Sequence, residues 1–237
     1  MLFRFIAMLG LGLLAVPVQA ADPSALKTQK DKVSYSIGLD IGTNFKKQSI
    51  EIDPDLLARG IRDAISDGKH LLSDEEIRAV MTAFQQEMQA KAATRVKELG
   101  DKNMKEGEAF LTGNKKKEGV VTLPSGLQYK VITAGNGKKP KSSDTVTTHY
   151  RGTLIDGTEF DSSYKRGQPA SFPVNGVIAG WTEALQLMPV GSKWQLFVPT
   201  NLAYGPRGAG QTIGPNATLI FEVELLSIEE EAKTPKE

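Results

Sequence analysis

The chain has 237 residues with ordinary hydrophobic (40%) and charged (24%) fractions, which suits one large soluble domain or two modest ones. It contains no cysteine, and this excludes disulfides, thiolate catalysis and cysteine-ligated metals. The 29 Lys and Arg residues nearly balance the 28 Asp and Glu residues, so the charge gives no sign of a nucleic-acid partner.

Residues 1–20 have the pattern of a secretory signal peptide. Arg4 is their only charge, an apolar run extends from Phe5 to Val16, and Val18-Gln19-Ala20 precedes a predicted cleavage site. The run is short for a membrane span, and no cysteine follows it that could carry a lipid. We therefore expect an exported protein without a transmembrane anchor. The periplasm fits best, with secretion or outer-membrane association left open.

The first predicted helix runs from Asp31 to Lys46 and carries two rows of residues at a spacing of four. An apolar row lies beside a row of small residues, and small residues let another helix approach closely. That neighbour is either in the same chain or in a second subunit. The rows are Val33, Ile37, Ile41 and Phe45, and Ser34, Gly38 and Gly42.

Two further helix starts are predicted from capping signals. Asp53-Pro54-Asp55 combines a capping side chain, proline at the first helical position and an acid near the positive end, and Asp67-Gly68 ends that helix. Ser73-Asp74-Glu75-Glu76 is a capping box for the third helix.

The third helix is predicted to continue to about Leu111, but it changes character on the way. From Gln89 to about Glu108 few residues are apolar, which is typical of a helix that bridges domains through solvent. Gly100 and Gly107 are weak points where such a helix could bend or break. The charged segment 114–119 is predicted to be a solvated, hinge-like tether.

Short helices bury little surface alone, because a domain below about 100 residues leaves much of its surface exposed. The apolar stripes of residues 33–88 therefore predict an intertwined homodimer. The expected organisation is a signal peptide (1–20), a helical dimerisation domain with a long connecting helix (21–118), a β-rich domain (119–229) and a polar tail (230–237).

From Val120 onwards the sequence alternates with a period of two, which indicates β-strands. One polar face per strand predicts an antiparallel sheet covered on one side only. The cover is a helix at Trp181, which Pro189 limits to about two turns. The fold class is α+β, an all-α arm followed by a sheet wrapped around a short helix. Predicted strands include an edge strand at 128–132, then 145–154, a return at 158–161 after the tight turn Asp156-Gly157, 194–198 and 219–225.

Aromatic side chains from separate segments converge on the helix at Trp181, as core residues or as the walls of a pocket. Asp161 favours a pocket, because an unpaired carboxylate is costly in an apolar cluster. The long Gly- and Pro-rich segment 202–215 is of the kind that borders a site. The converging residues are Tyr150, Phe160, Phe172, Trp181, Tyr204 and Phe221.

The usual catalytic motifs are missing from the sequence. His70 lies near a turn and His149 on the polar face of a strand, so neither suggests a triad or a metal site. There is no phosphate-binding glycine motif and no carboxylate pair at a telling spacing. An enzyme with this sequence would work without a nucleophile, metal or cofactor.

Residues from about Val120 to Ile228 resemble a complete FKBP-type peptidyl-prolyl cis–trans isomerase domain. The helical arm, with Tyr35-Ser36-Ile37-Gly38, resembles the exported macrophage infectivity potentiator branch, whose members are V-shaped dimers joined through their N-terminal helices. The segments that carry the domain resemblance are Leu123-Pro124-Ser125-Gly126-Leu127, His149-Tyr150-Arg151-Gly152, Asp156-Gly157-Thr158-Glu159-Phe160-Asp161-Ser162-Ser163, Val177-Ile178-Ala179-Gly180-Trp181, Leu202-Ala203-Tyr204-Gly205 and residues 217–225.

The resemblance implies a set of site residues. Trp181 would lie beneath the proline ring, and Tyr204, Asp161 and the Ile178 N–H would border the polar edge of the peptide, with Arg166 beside Asp161. Ala170, Ala209 and Thr212 depart from the family pattern, widen one side of the pocket and leave macrolide affinity and substrate preference open. The implied catalytic residues are Tyr150, Phe160, Asp161, Ile178, Trp181, Tyr204 and Phe221, and the implied substrate-binding residues are Val177, Arg166, Phe172 and Ile213.

The predicted function is isomerisation of X–Pro bonds in folding exported proteins, by non-covalent stabilisation of the twisted amide and without a cofactor. The expected partners are unfolded or partly folded proteins that contain proline, a second copy of the chain, and macrolide inhibitors. The rival hypothesis is a dimeric periplasmic chaperone that holds unfolded clients, in which the pocket serves only as a grip.

Overall fold

The computed structural model describes residues 26–66 and 69–229. The predicted signal peptide, the helix stop at Asp67-Gly68 and the polar tail lie outside these residues. The chain divides between Ile77 and Arg78 into two units. No helix in the described ranges is long and apolar enough to cross a membrane.

The first unit contains helices α1 (Gln29–Gln48) and α2 (Pro54–Ile65), both at their predicted places. Asp53 caps α2, since its carboxylate accepts from the N–H groups of Asp55 (2.9 Å) and Leu56 (3.1 Å). Neither α1 nor α2, which the structure describes in full, contains a buried residue. In the apolar row of α1, Val33 and Ile37 are exposed in the single chain, whereas Ile41 and Phe45 are half-buried.

Helix α3 (Asp74–Asn114) begins at the predicted capping box and runs for 41 residues. The Ser73 N–H donates to Glu76 Oε2 at 2.8 Å, and the Glu76 N–H donates to Ser73 Oγ at 3.3 Å. The helix does not break at Gly100 or Gly107, the two weak points at which it could have done so. Both glycines are buried instead, and they permit close packing against the segment that leads into the last strand.

The prediction of a hinge at residues 114–119 is wrong, because the C-terminal end of α3 is anchored to the sheet. Asn114 is 1% exposed, and its Nδ2 donates to Gln128 Oε1 at 3.0 Å. The Gln128 amide in turn donates to the Leu111 carbonyl at 2.9 Å. A hydrogen-bonded turn follows, in which the Lys117 N–H donates to the Asn114 carbonyl at 2.9 Å. The charged residues of this turn are solvated, but the backbone is fixed.

The second unit contains an antiparallel sheet of seven strands, namely β1 (Val120–Thr122), β2 (Gln128–Thr133), β3 (Thr145–Leu154), β4 (Glu159–Ser162), β5 (Ala170–Pro173), β6 (Lys193–Val198) and β7 (Leu219–Glu229). Their order is β1-β2-β6-β7-β3-β4, with β5 also paired to β3. The predicted edge strand is β2, and it is not at the edge, because β1 pairs along its outer side.

The strands bury alternate residues, as a period of two predicts, with Val146, Leu196 and Val223 all at 0% exposure. The short helix α4 (Ala179–Leu185) covers this face and ends before Pro189. The prediction that the sheet is covered on one side only was incomplete. Phe197 points to the opposite face, yet it is 5% exposed because Phe110 of α3 packs against it at a ring separation of 5.9 Å.

Candidate active site

A cleft of about 720 Å³ opens beside α4, between the curled sheet and the segment 202–215. Ten of the eleven site residues predicted from the sequence line it, and Arg166 does not. Five further residues line it: Ala209 and Thr212, which were named only as departures from the family pattern, and Gly176, Gly210 and Gln211. The lining residues are Tyr150, Phe160, Asp161, Phe172, Gly176, Val177, Ile178, Trp181, Tyr204, Ala209, Gly210, Gln211, Thr212, Ile213 and Phe221.

Trp181 is the centre of the aromatic cluster and is 4% exposed. Its indole meets the rings of Tyr150, Phe172 and Phe221 edge to face, with centroid separations of 5.2, 5.9 and 5.3 Å. Such contacts fix an aromatic side chain more firmly than area burial alone. The neighbouring Gly180 lets α4 approach the sheet, since a Cβ there would lie 2.6 Å from Val198 Cγ1.

Gly152 of β3 supports the opposite wall, a role that its place in the sequence does not indicate. A Cβ atom at this position would lie 2.6 Å from the Phe160 ring and 2.9 Å from the Phe221 ring. Those two rings pack edge to face at 5.5 Å. The absence of a side chain therefore allows both rings to lie directly over β3. Only the tertiary structure reveals this requirement, because a glycine in a strand has several explanations.

Three polar side chains form a closed network at one edge of the cleft. The Tyr150 hydroxyl donates to Asp161 Oδ2 at 2.5 Å. Arg166 donates from Nη2 to the Tyr150 oxygen at 2.7 Å and from Nη1 to Asp161 Oδ1. The expected pairing of Arg166 with Asp161 is present, whereas its contact with Tyr150 was not foreseen.

The network sets the protonation of its members. Desolvation raises the pKa of Asp161, but hydrogen bonds from Tyr150 and Arg166 outweigh it, and the net pKa lies below the ordinary value. Desolvation and the hydrogen bond to Asp161 raise the pKa of Tyr150. At neutral pH the carboxylate is therefore ionised and the phenol protonated. This arrangement holds a fixed charge beside the cleft and is unsuited to a general base.

The segment 202–215 is a closed loop along the other rim. The N–H groups of Ala209 and Ile213 donate to each other's carbonyls at 2.8 and 3.1 Å. Tyr204 is 41% exposed at the start of the loop, and Ile213 is 9% exposed. Among the departures from the family pattern, Ala209 and Thr212 line the cleft, whereas Ala170 lies on β5 outside the lining.

Ile178 immediately precedes α4, where it acts as the N-cap residue. Its carbonyl accepts from the N–H groups of Trp181 (2.9 Å) and Thr182 (3.0 Å). Its own N–H has no acceptor among residues 26–66 and 69–229. A donor at the rim of an apolar cleft can bind a carbonyl group of a ligand. Over the same residues, no group of three or more His, Asp or Glu side chains is suited to a metal ion.

Comparison with known proteins identifies the family. Residues 136–226 match the family model of FKBP-type peptidyl-prolyl cis-trans isomerase, and residues 30–131 match the domain amino terminal to it. The chain is 53% identical over 226 residues to the outer membrane protein MIP of Legionella longbeachae, covering 95% of this chain and 97% of that one. The chain belongs to the FKBP-type peptidyl-prolyl cis–trans isomerases.

Two further relatives support this assignment. The isomerase is 46% identical over 216 residues to the peptidyl-prolyl cis-trans isomerase Mip of Coxiella burnetii, covering 91% of this chain and 93% of the relative. The crystal structure of FkpA from Escherichia coli superposes with a TM-score of 0.70 at 40% identity, covering 86% of this chain and 99% of that structure. The FKBP resemblance, the enzyme class and the α+β fold are thus confirmed.

Proposed function

We propose that this isomerase accelerates rotation about X–Pro bonds in unfolded and partly folded exported proteins, and that the cleft around Trp181 is where it does so. The observation that carries the proposal is the juxtaposition of a cleft lined by aromatic side chains, a free N–H at Ile178 and an ionised Asp161. The signal-like pattern of residues 1–20 supports export, and the periplasm is the proposed location.

The mechanism follows from the electronic structure of the amide. Resonance opposes rotation with a barrier of about 18–20 kcal/mol. The twisted amide has less charge separation than the planar one, so an apolar cleft disfavours the planar ground state relative to it. Holding the proline ring against the Trp181 indole while the chain turns adds orientation. This is differential binding of the transition state, and it needs no proton transfer from the protein.

Three polar groups would orient the substrate. The Ile178 N–H is placed to donate to a substrate carbonyl and so to decide which side of the bond turns. The exposed Tyr204 hydroxyl and the Asp161 carboxylate would border the peptide on the polar side. Arg166 would act through Asp161 and Tyr150, whose positions it fixes by hydrogen bonds.

The test is a refolding reaction that is limited by proline isomerisation, followed with and without the mature enzyme. We expect acceleration at substoichiometric enzyme, and an unchanged rate at stoichiometric enzyme would refute the proposal. Tyr204→Phe should reduce the acceleration. Tyr164→Phe is the matched control, since Tyr164 is similarly exposed (44%) but stacks on His149 outside the cleft.

We also propose that α1 and α2 form a homodimer interface. Val33 is 47% and Ile37 56% exposed in the single chain. A Cβ atom at Gly38 or Gly42 would meet nothing within 4 Å, so this row of small residues has room for another helix. A hydrodynamic mass of one subunit at micromolar concentration would refute the dimer.

A chaperone function is the second candidate, and the exposed apolar rows of the first unit favour it. They could hold unfolded segments, with the isomerase activity secondary. The discriminating experiment measures aggregation of a proline-free client in the presence of Tyr204→Phe and Asp161→Asn variants. Undiminished suppression would support holding by the arm. Loss of suppression together with loss of isomerisation would assign both effects to the cleft.

A further inference from the structure

The C-terminal half of α3 touches the loop that borders the cleft. Asn103 Nδ2 donates to the Pro215 carbonyl at 2.8 Å, across 112 positions in sequence. That carbonyl accepts no other hydrogen bond among the described residues. The loop end is also packed closely, since a Cβ atom at Gly214 would lie 3.1 Å from Asn103 Nδ2 and 3.3 Å from Leu99 Cδ2.

A second contact reaches the opposite end of the loop through Asn216. Its side-chain amide points at the Gly100 carbonyl of α3 at 3.4 Å. Its backbone N–H donates to the Gly205 carbonyl at 2.9 Å, directly after Tyr204. Asn216 has a positive φ of 56°, a conformation that few non-glycine residues adopt. The two ends of the loop are therefore joined to each other and to α3 at one place.

The loop residues next to these contacts line the cleft. Ile213 is two positions from Pro215, and Gln211 and Thr212 form the loop tip. Gln211 and Thr212 also line a groove of about 290 Å³ on the side that faces α3, together with Leu99 and Asn103. The helix thus contacts the back of the same loop whose front borders the candidate site.

We propose that Asn103 is a positioning residue of the isomerase, which holds the loop 202–215 through the Pro215 carbonyl and thereby keeps Ile213 and the loop tip in place against the bound peptide. The catalytic unit then includes the C-terminal half of α3, which contributes no side chain to the cleft itself. The inference rests on the proposed role of the cleft.

If the loop is already ordered, substrate binding does not have to offset the conformational entropy that ordering the loop would cost. Loss of the Asn103 bond should therefore raise KM for a short proline peptide and leave kcat nearly unchanged. It should also speed amide exchange at Ala209 and Ile213, whose N–H groups close the loop. Loss of one neutral hydrogen bond should increase the population of molecules with an open loop by roughly 2- to 12-fold.

The experiment uses the full mature chain with Asn103→Ala, and with Asn103→Asp, which keeps the side-chain shape but removes the donor. Lys105→Ala is the matched control, because Lys105 is exposed two positions further along α3 and lines neither the cleft nor the groove. Hydrogen–deuterium exchange, peptide kinetics and denaturant unfolding are measured for each variant.

The expected result is faster exchange at Ala209 and Ile213, a raised KM for both Asn103 variants, and wild-type behaviour for Lys105→Ala. Unchanged exchange would overturn the inference, as would equally faster exchange throughout β6 and β7, which would indicate a general loss of stability. Faster loop exchange with unchanged KM would also overturn it, while leaving the function of the cleft intact. A wild-type enzyme inactive on the peptide would instead refute the proposed function, and with it the inference.

Discussion

Gly107 and Thr218 are in direct contact, with the helix backbone of one against the side chain of the other. A Cβ atom at Gly107 would lie 2.2 Å from Thr218 Oγ1 and 3.1 Å from its Cβ. Thr218 is 4% exposed and directly precedes β7, which crosses the centre of the sheet. Gly107 therefore permits the close approach of α3 to the segment that leads into β7.

Gly107→Ala should destabilise the protein, although alanine is the better helix former by about 1 kcal/mol. Forcing a methyl group into a filled contact typically costs about 1–3 kcal/mol, so the clash should outweigh the gain. Gly113→Ala is the matched control in the same helix, where nothing lies within 4 Å of the new Cβ atom. It should stabilise slightly in the same urea titration. If both alanines stabilise equally, the Gly107 contact is not tight in solution.

Features that impose a period on the sequence are predictable from one chain, and features that depend on distant contacts are not. Strand faces such as that of Val146 and Leu196 were predictable, because burial imposes a period of two on the sequence. Gly107 and Gly152 were not, because the sequence does not reveal what the missing side chain would touch. The edge assignment of β2 failed for a similar reason, since three residues at Val120–Thr122 leave almost no periodic signal. Phe110 can cover Phe197 only because of the angle at which α3 packs on the sheet, and no local sequence pattern predicts that angle.

The candidate site was more predictable than the fold details around it. The resemblance supplied ten residues that line the cleft, and eight of them lie in motifs whose order is distinctive, whereas Phe172 and Ile213 lie outside those motifs. It did not supply Gln211, which lies outside the motifs that carry the resemblance. It also missed the Arg166–Tyr150 hydrogen bond, which depends on how the residues after β4 fold back. Long-range contacts such as Asn103–Pro215 left no trace that one sequence could reveal.

Replacing Tyr150 with Phe should raise the pKa of Asp161, because the carboxylate loses the hydroxyl donor that helps to lower it. The pKa of Asp161 can be followed by its side-chain carbon shift during an NMR titration. Thr147→Val is a control on the same strand without contact to the carboxylate. Titration of wild-type Asp161 at or above its ordinary value of about 3.9 would contradict the observed network.

The same network predicts how stability depends on pH. The folded pKa of Asp161 is lowered, so its contribution is present above the unfolded value of about 4 and is lost as the pH falls through the folded value. Asp161→Asn should therefore be less stable than wild type at pH 7, and the difference should shrink below about pH 4. The side chain is 42% exposed, so the effect should stay under about 1 kcal/mol. A difference that grows on acidification would contradict the sign.

The two tryptophans allow packing to be separated from function. Trp181 (4% exposed) is central to the cleft, whereas Trp194 (6% exposed) stacks on Tyr129 at 4.2 Å and lies outside it. Trp181→Phe and Trp194→Phe should each cost roughly 1–3 kcal/mol of unfolding free energy. Only Trp181→Phe should lower kcat/KM, by about tenfold or more, which corresponds to about 1.4 kcal/mol of transition-state stabilisation. Full activity of Trp181→Phe, or equal losses in both variants, would remove Trp181 from the mechanism.

The anchoring of α3 determines which fragment represents the catalytic unit. A fragment of residues 119–229 would lose the Phe110 ring that covers Phe197, and the partners of the buried Gln128 amide at Leu111 and Asn114. Exposing one buried phenylalanine costs about 1.5–3 kcal/mol, and an unsatisfied buried amide adds to this. The fragment 78–229 keeps all of these contacts and begins where the second unit begins.

We therefore expect the fragment 119–229 to be at least about 2 kcal/mol less stable than the fragment 78–229 and to have a higher KM for a short proline peptide. Thermal unfolding and peptide kinetics on both fragments provide the measurement, with the full mature chain as reference. Equal stability and equal KM would contradict the anchoring role of α3. If instead the difference is found, poor activity of the shorter fragment on unfolded proteins does not by itself indicate client capture by the arm, because the cleft has changed as well. Only the fragment 78–229 then isolates the contribution of α1 and α2 to client binding.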